Sequence, residues 1–229
     1  MSAIATNLQA VRERIAKAAR AVGRDPAEVT LLAMSKSKPL ADILAAADAG
    51  QNAFGENYAQ EGVEKISLTV NRHFAWHFTG PLQSNKTRLV AENFAWVHTV
   101  ERLKIAERLS AQRPDNLPPL QVCVQVNVSG EASKSGCAPK EALALCLAIA
   151  ALPRLKLRGL MAIPEETEDF EKQRQPFRAL RSIADSIRAA GVPLDTLSMG
   201  MSHDLEAAIA EGATIVRIGT AIFGERNTP

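Results

Sequence analysis

Cysteine is scarce in this sequence: Cys123, Cys137 and Cys146 are an odd number without CxxC or Cys/His metal spacing. That pattern fits a reducing compartment and offers no metal site. Excess charge of one sign is also missing, because 27 basic residues face 25 acidic ones and the formal charge is +2. Binding to nucleic acid by counterion release needs a basic field that this balance does not provide. Long apolar runs are absent as well. The opening segment MSAIATNLQAVRERIAKAAR spaces its apolar residues at helical period and breaks them with Arg and Lys, so it has no signal-peptide h-region. No stretch reaches membrane-spanning length. There is no Pro/Gly/Ser-rich linker, solenoid repeat, G-x-S-x-G elbow, Walker loop or zinc constellation. These absences lead us to expect a soluble, cytoplasmic, single-domain protein over residues 1–229, with no bound metal, membrane or nucleic acid.

Short β-type runs alternate with helical-period segments along the whole chain. The candidate strands are VTLLAMS (29–35), NAFG (52–55), FAWHFTG (74–80), FAWVHTV (94–100), LQVCVQVNV (120–128), LKLRGLMAI (155–163), LDTLSMG (194–200) and TIVRIGT (214–220). Alternation of this kind builds a parallel sheet, and eight strands close a barrel. The fold class predicted is α/β, a single (β/α)8 barrel, with an open doubly wound sheet as the competing architecture. A further helix over roughly residues 5–22 precedes the first strand, to cover the barrel bottom or pack on its outer wall. Pro114 to Pro119 reads as a loop, and several helical segments stop at glycine. The chain ends at Pro229, shortly after the eighth run, so no second domain is expected to follow.

In a βα barrel the functional face lies at the C-terminal ends of the strands. The first candidate strand runs into Lys36 and Lys38, followed by Pro39 at the expected start of a helix. A lysine amine attacks an aldehyde only when unprotonated, and its ordinary pKa of ~10.4 makes that form rare at neutral pH unless burial depresses it. The alternative is a pair of solvated loop cations. In LSMGMSHDLEAAI, Gly200 sits in the loop after the seventh strand and Ser202 is placed to cap the next helix, where free N–H groups suit a phosphate. Gly219 and Thr220 follow the eighth strand, and the loops after strands seven and eight are the recurrent phosphate site of barrels. Arg217, flanked by Val216 and Ile218, alternates toward the lumen, where it needs an acceptor: a ligand, or a carboxylate such as Glu56. Asn57, His77 and Thr79 lie near strand ends, His77 read as a structural histidine. SGEASKSG (129–136), with Lys134, reads as a polar loop beside the mouth, and PEETEDFE (164–171) as negative charge at a helix N-terminus.

The motifs LLAMSKSKP, FGENYAQE, WHFTGPLQSNK, SKSG, GLMAIP, LSMGMSHDLEAAI and VRIGTAIFG resemble, in order and along the whole chain, the pyridoxal phosphate homeostasis protein family. The resemblance implies a barrel like the N-terminal domain of alanine racemase, the third fold type among pyridoxal phosphate proteins. It further implies an internal aldimine on Lys36, phosphate contacts from Ser202, Gly219 and Thr220, Arg217 facing the pyridine nitrogen, and Asn57 lining the ring pocket. Ser198 and Gly200 are implied neighbours. Ser37 stands where threonine is frequent, and Thr79 where an aliphatic residue is frequent.

Two function classes follow. One is a monomeric carrier or buffer that binds pyridoxal 5′-phosphate and releases it to apo-enzymes, with no catalytic residue. The other is a pyridoxal phosphate-dependent amino-acid racemase, which needs two acid/base groups across the cofactor. In the racemases resembled, the second is a tyrosine brought by another domain, whereas this chain has Tyr58 alone, beside Asn57. An arginine at the pyridine nitrogen weakens the electron sink without hindering imine exchange. The carrier is therefore the expected function. A third reading, a phosphosugar enzyme in which Lys36 binds a ketose, rests on the same lysine and phosphate loops.

Overall fold

The computed structural model describes residues 2–130 and 135–225. Its first element, helix α1 (Ala3–Ala21), starts where the Ser2 hydroxyl accepts the Ala5 N–H at 3.2 Å. Leu8, Val11, Ile15, Ala18 and Ala19 recur at helical spacing and are buried. They face the outer wall of the barrel, where the Asn7 amide donates to Ile222 O and Arg14 pairs with Glu206. Of the two positions anticipated for this helix, the outer wall is the one found.

In chain order the remaining elements are β1 (Thr30–Met34), α2 (Leu40–Asp48), β2 (Ala53–Glu56), α3 (Ala59–Leu68), β3 (Ala75–Phe78), α4 (Thr87–Asn93), β4 (Trp96–Val100) and α5 (Leu103–Gln112). They continue as β5 (Leu120–Gln125), α6 (Ala142–Ala150), β6 (Leu155–Met161), α7 (Phe170–Ala189), β7 (Thr196–Ser198), α8 (Leu205–Ala210), β8 (Ile215–Ile218) and α9 (Thr220–Phe223). The strands form a closed barrel in sequence order, and every pairing is parallel. Seven lie inside the runs predicted for them, and β2 passes the end of its run by one residue, Glu56. The open-sheet alternative fails at one seam: β1 pairs with β8, with Leu32 opposite Arg217 and Ala33 opposite Ile218.

Alternation along the strands divides the core in two. Phe54, Trp76, Phe78, Val97 and Val216 face outward into the helix layer, and Leu32, Met34, Ala53 and Ile215 pack inside the barrel with Ala75 and Trp96. Gly159 lets β6 approach β7, since a Cβ there would stand 1.7 Å from Thr196 O. Helix α7 is capped by the Asp169 carboxylate on Lys172 N–H, 3.1 Å, with Glu171 in its first turn, as the acidic run suggested. Pro39 is the N-cap of α2, and Gly50 and Gly191 follow α2 and α7 at positive φ. The buried carboxylate of Glu211 ties α7 to α8 by accepting ion pairs from Arg174, Arg178 and Arg181. Among the described residues no helix is long and apolar enough to cross a membrane.

Candidate functional site

The first strand delivers its lysines into a tight turn in which Lys38 N–H donates to Ser35 O at 3.0 Å and Ser37 takes φ +58°. The two lysines are not equivalent. Lys38 Nζ donates to three carbonyls beyond β8, those of Phe223, Gly224 and Glu225, at 3.1, 3.0 and 2.8 Å. It thereby caps the C-terminal end of α9 and ties the loop after β1 to the segment after β8. Lys36 is half-buried, directly after β1 at the C-terminal end of the barrel.

The other predicted residues converge on the same side. Because β1 lies beside β8, Gly219 stands at the end of β1, and a Cβ on it would be 3.3 Å from Met34 Cβ. Arg217 N–H donates to Gly200 O at 2.9 Å, which joins the loop after β7 to β8. Gly200 takes φ +98°, and a Cβ there would meet Ala208 Cβ at 2.6 Å. The cap of α8 corrects our reading of Ser202. Asp204 is the N-cap residue; its carboxylate accepts the Met201 N–H at 2.6 Å and braces the loop from inside. Ser202 is half-buried one turn earlier, its carbonyl accepting from Arg14. Burial holds the Asp204 carboxyl above its ordinary range, against the Met201 N–H that lowers it.

Arg217 points into the lumen, as alternation predicted, but among the described residues no carboxylate pairs with it. Its NH1 donates to Ser198 O at 2.7 Å and to Ser198 Oγ at 2.8 Å, and NH2 donates to Ala162 O at 2.9 Å. Glu56 is not the acceptor, because Ala53 and Gly55 turn inward and Glu56 turns outward against α3. Burial brings the guanidinium down to about 10, so it remains charged at neutral pH.

The polar line continues where sequence reasoning did not follow it. Ser198 Oγ lies 2.7 Å from His98 Nδ1, and His98 Nε2 lies 2.8 Å from His77 Nδ1, whose ring stacks on Trp96 at 5.1 Å. His77 is thus a satisfied structural histidine, as expected. The available signal was that His77 and His98 both fall on inward positions of neighbouring strands.

Asn57, just after β2, is oriented by Thr79, whose hydroxyl donates to Asn57 Oδ1 at 2.9 Å. This orientation directs the Asn57 amide as a donor away from Thr79. Thr79 also lines a cavity of ≈ 220 Å³ at the mouth, with Thr99, Gln125, Ser135 and Ile163. Lys134 lies outside the described residues. Burial pushes the thiols of Cys123 and Cys146 up to about 12 and that of Cys137 to about 11, so none is a poised nucleophile. Among the described residues no three His, Cys, Asp or Glu side chains group as metal donors.

Comparison with known proteins identifies the family. The family model described as "Alanine racemase, N-terminal domain" matches residues 6–227. The chain is 59% identical over 227 residues to the pyridoxal phosphate homeostasis protein of Pseudomonas aeruginosa, covering 99% of this chain and 97% of that one. It is 54% identical over 235 residues to the protein of the same name from Escherichia coli K12, covering 99% and 98%. Among solved structures it resembles PipY of Synechococcus elongatus with PLP bound, at TM-score 0.84 and 34% identity over 96% of this chain and 100% of that one. Alanine racemase from Corynebacterium glutamicum shares the fold at 16% identity and TM-score 0.69, with 99% of this chain covering 62% of that one. An eight-stranded barrel with a lysine turn after β1, a buried arginine on β8 and relatives of this identity over nearly its whole length belongs to the pyridoxal phosphate homeostasis protein family.

Proposed function

We propose that this chain binds pyridoxal 5′-phosphate covalently through Lys36 and serves as a monomeric, non-catalytic carrier that buffers the cofactor and passes it to apo-enzymes. The observation that carries the reading is the β1–β8 seam, which sets the Lys36 turn against Gly219 and Thr220 with Arg217 in the lumen below.

The residues suit the group. When bound, the cofactor supplies an aldehyde that condenses with a neutral amine and releases one water. Lys38 is held by three carbonyls of the segment after β8, and Lys36, half-buried directly after β1, is the lysine to which we give the amine role. The small side of Gly219 keeps the gap between the ends of β1 and β8 open to an anion, and Ser202 and Thr220 add hydroxyl donors. Arg217 is a fixed donor that does not give up its proton at neutral pH, so it holds a ring nitrogen by hydrogen bond without protonating it. Ser198 and Gly200 fix Arg217 in place, and Asn57 offers an amide donor at the ring's edge. No described residue opposes Lys36 as an evident second base, and Tyr58 is 56% exposed at the start of α3.

Reconstitution followed by borohydride reduction and peptide mass spectrometry tests the assignment. A pyridoxyl adduct is expected on Lys36 and is lost in Lys36→Ala; an adduct on another lysine, or a sugar adduct, sinks it. Incubation of the loaded protein with L- and D-alanine tests the carrier role. Racemisation faster than that of free cofactor would overturn it.

A further inference from the structure

Beneath the Lys36 turn lies a buried ionic ladder that the cofactor contacts do not use. Glu56 at the end of β2 is fully buried, and its Oε1 accepts the Ser35 hydroxyl at 2.6 Å and Lys65 Nζ at 2.8 Å. Lys65, on the inner face of α3, is also buried, and it spends its other two protons on Ser35 O at 2.7 Å and Glu61 Oε1 at 2.6 Å. All three donors of the ammonium are satisfied. Glu61 Oε1 then accepts the Ser37 N–H at 2.6 Å.

The endpoints of the ladder are what matter. Ser35 O belongs to the peptide group before Lys36, and Ser37 N–H to the peptide group after it. One lysine and one glutamate therefore grip the backbone on both sides of the same residue. Ser37 needs that grip, because φ +58° is a left-handed conformation that serine adopts at a cost. A charge-assisted hydrogen bond to its N–H offsets the cost.

We infer that Glu61 and Lys65 are positioning residues for the Lys36 amine: their clamp on Ser35 O and Ser37 N–H fixes the direction in which the Lys36 side chain leaves the barrel rim. This rests on the reading of Lys36 as the covalent anchor. A ladder with a purely structural role would support the packing of α3 on β1 and β2 and leave cofactor affinity untouched. The positioning role predicts that loosening one rung costs binding before it costs the fold.

Glu61 is the rung to change, because it lies in the first turn of α3 and its side chain is 27% exposed, whereas Lys65 and Glu56 are buried. In the apoprotein, deuterium exchange at the Ser37 amide, followed by NMR, should accelerate about tenfold or more in Glu61→Ala. Titrated with pyridoxal 5′-phosphate, the same variant should bind about tenfold more weakly and show a displaced pH titration of its bound-cofactor absorbance. Glu61→Gln keeps an oxygen acceptor and should recover most of the affinity; Glu61→Asp, one methylene short, should fall between. Wild-type affinity in Glu61→Ala, with or without faster exchange, would overturn the positioning role while leaving the anchor intact. Absence of any borohydride-trapped adduct on Lys36 in the wild type overturns the anchor, and the positioning role with it.

Discussion

His98 Nδ1 lies 2.7 Å from Ser198 Oγ, across a separation of 100 residues, and the same oxygen accepts a hydrogen bond from Arg217 NH1 at 2.8 Å. One hydroxyl thus joins the histidine pair of β3 and β4 to the buried cation of β8. Replacing it breaks both links among buried groups. Ser198→Ala is expected to lose about 1–3 kcal/mol of stability, the cost of stranding buried polar groups. The change should appear as a lower urea midpoint with an unaltered slope; a midpoint equal to wild type would show that the link carries no stability.

The same histidines make stability pH-dependent. Burial holds the His77 imidazole neutral down to about pH 3, and burial with the nearby His77 and Arg217 keeps His98 well below its ordinary value. Unfolded, each takes up a proton near pH ~6.5. The unfolded chain therefore binds more protons below that point, and stability falls as pH drops from about 6.5 toward 3. The slope reaches up to ~1.4 kcal/mol per pH unit for each histidine. Burial of Glu56 and Asp204 acts in the opposite sense at lower pH, since it raises their carboxyls. The histidine part is isolated by comparing wild type with His77→Asn in urea melts between pH 7 and 5. The variant should show the shallower dependence, and equal slopes would refute the assignment.

Gly200 offers a steric test. At φ +98° with Ala208 Cβ 2.6 Å from the position of a new Cβ, Gly200→Ala carries both backbone strain and a clash. A loss of about 2 kcal/mol or more is expected in thermal or urea unfolding. Because the Gly200 carbonyl also receives Arg217 N–H, cofactor retention should fall in parallel. A variant as stable as wild type would mean that the loop after β7 moves freely.

Thr79 tests orientation without burial of charge. Thr79→Val removes the hydroxyl that fixes Asn57 Oδ1 and keeps the shape of the side chain. Cofactor affinity, followed by absorbance titration, should fall about threefold to tenfold, the worth of one hydrogen bond. Unchanged affinity would detach Asn57 from the ring pocket.

Much of this was legible in the sequence because parallel strands buried on both faces read as apolar runs, and the helices between them carry a different period. All eight runs became strands, and alternation alone sent Arg217 inward. The same alternation, applied to Ala53, Phe54 and Gly55, also sends Glu56 outward, which removes it as a partner for Arg217. The cap of α8 was misplaced because Ser202 and Asp204 are both good capping residues, and only the turn of the loop selects Asp204. The His98–Ser198 link and the grip of Lys65 on Ser35 O depend on barrel register and on which face of α3 packs inward, and neither is written in local spacing.

The pairing of β1 with β8 has a consequence for biosynthesis. Lys36 emerges from the ribosome early and the Gly219 loop late, so on the proposed reading a growing chain holds the amine long before it holds the phosphate seat. The strand pairing that completes the ring is also the one of greatest sequence separation among the strand pairs, and such contacts form slowly. On that reading cofactor capture requires the closed barrel, because an incomplete chain lacks the β1–β8 seam that brings the two loops together.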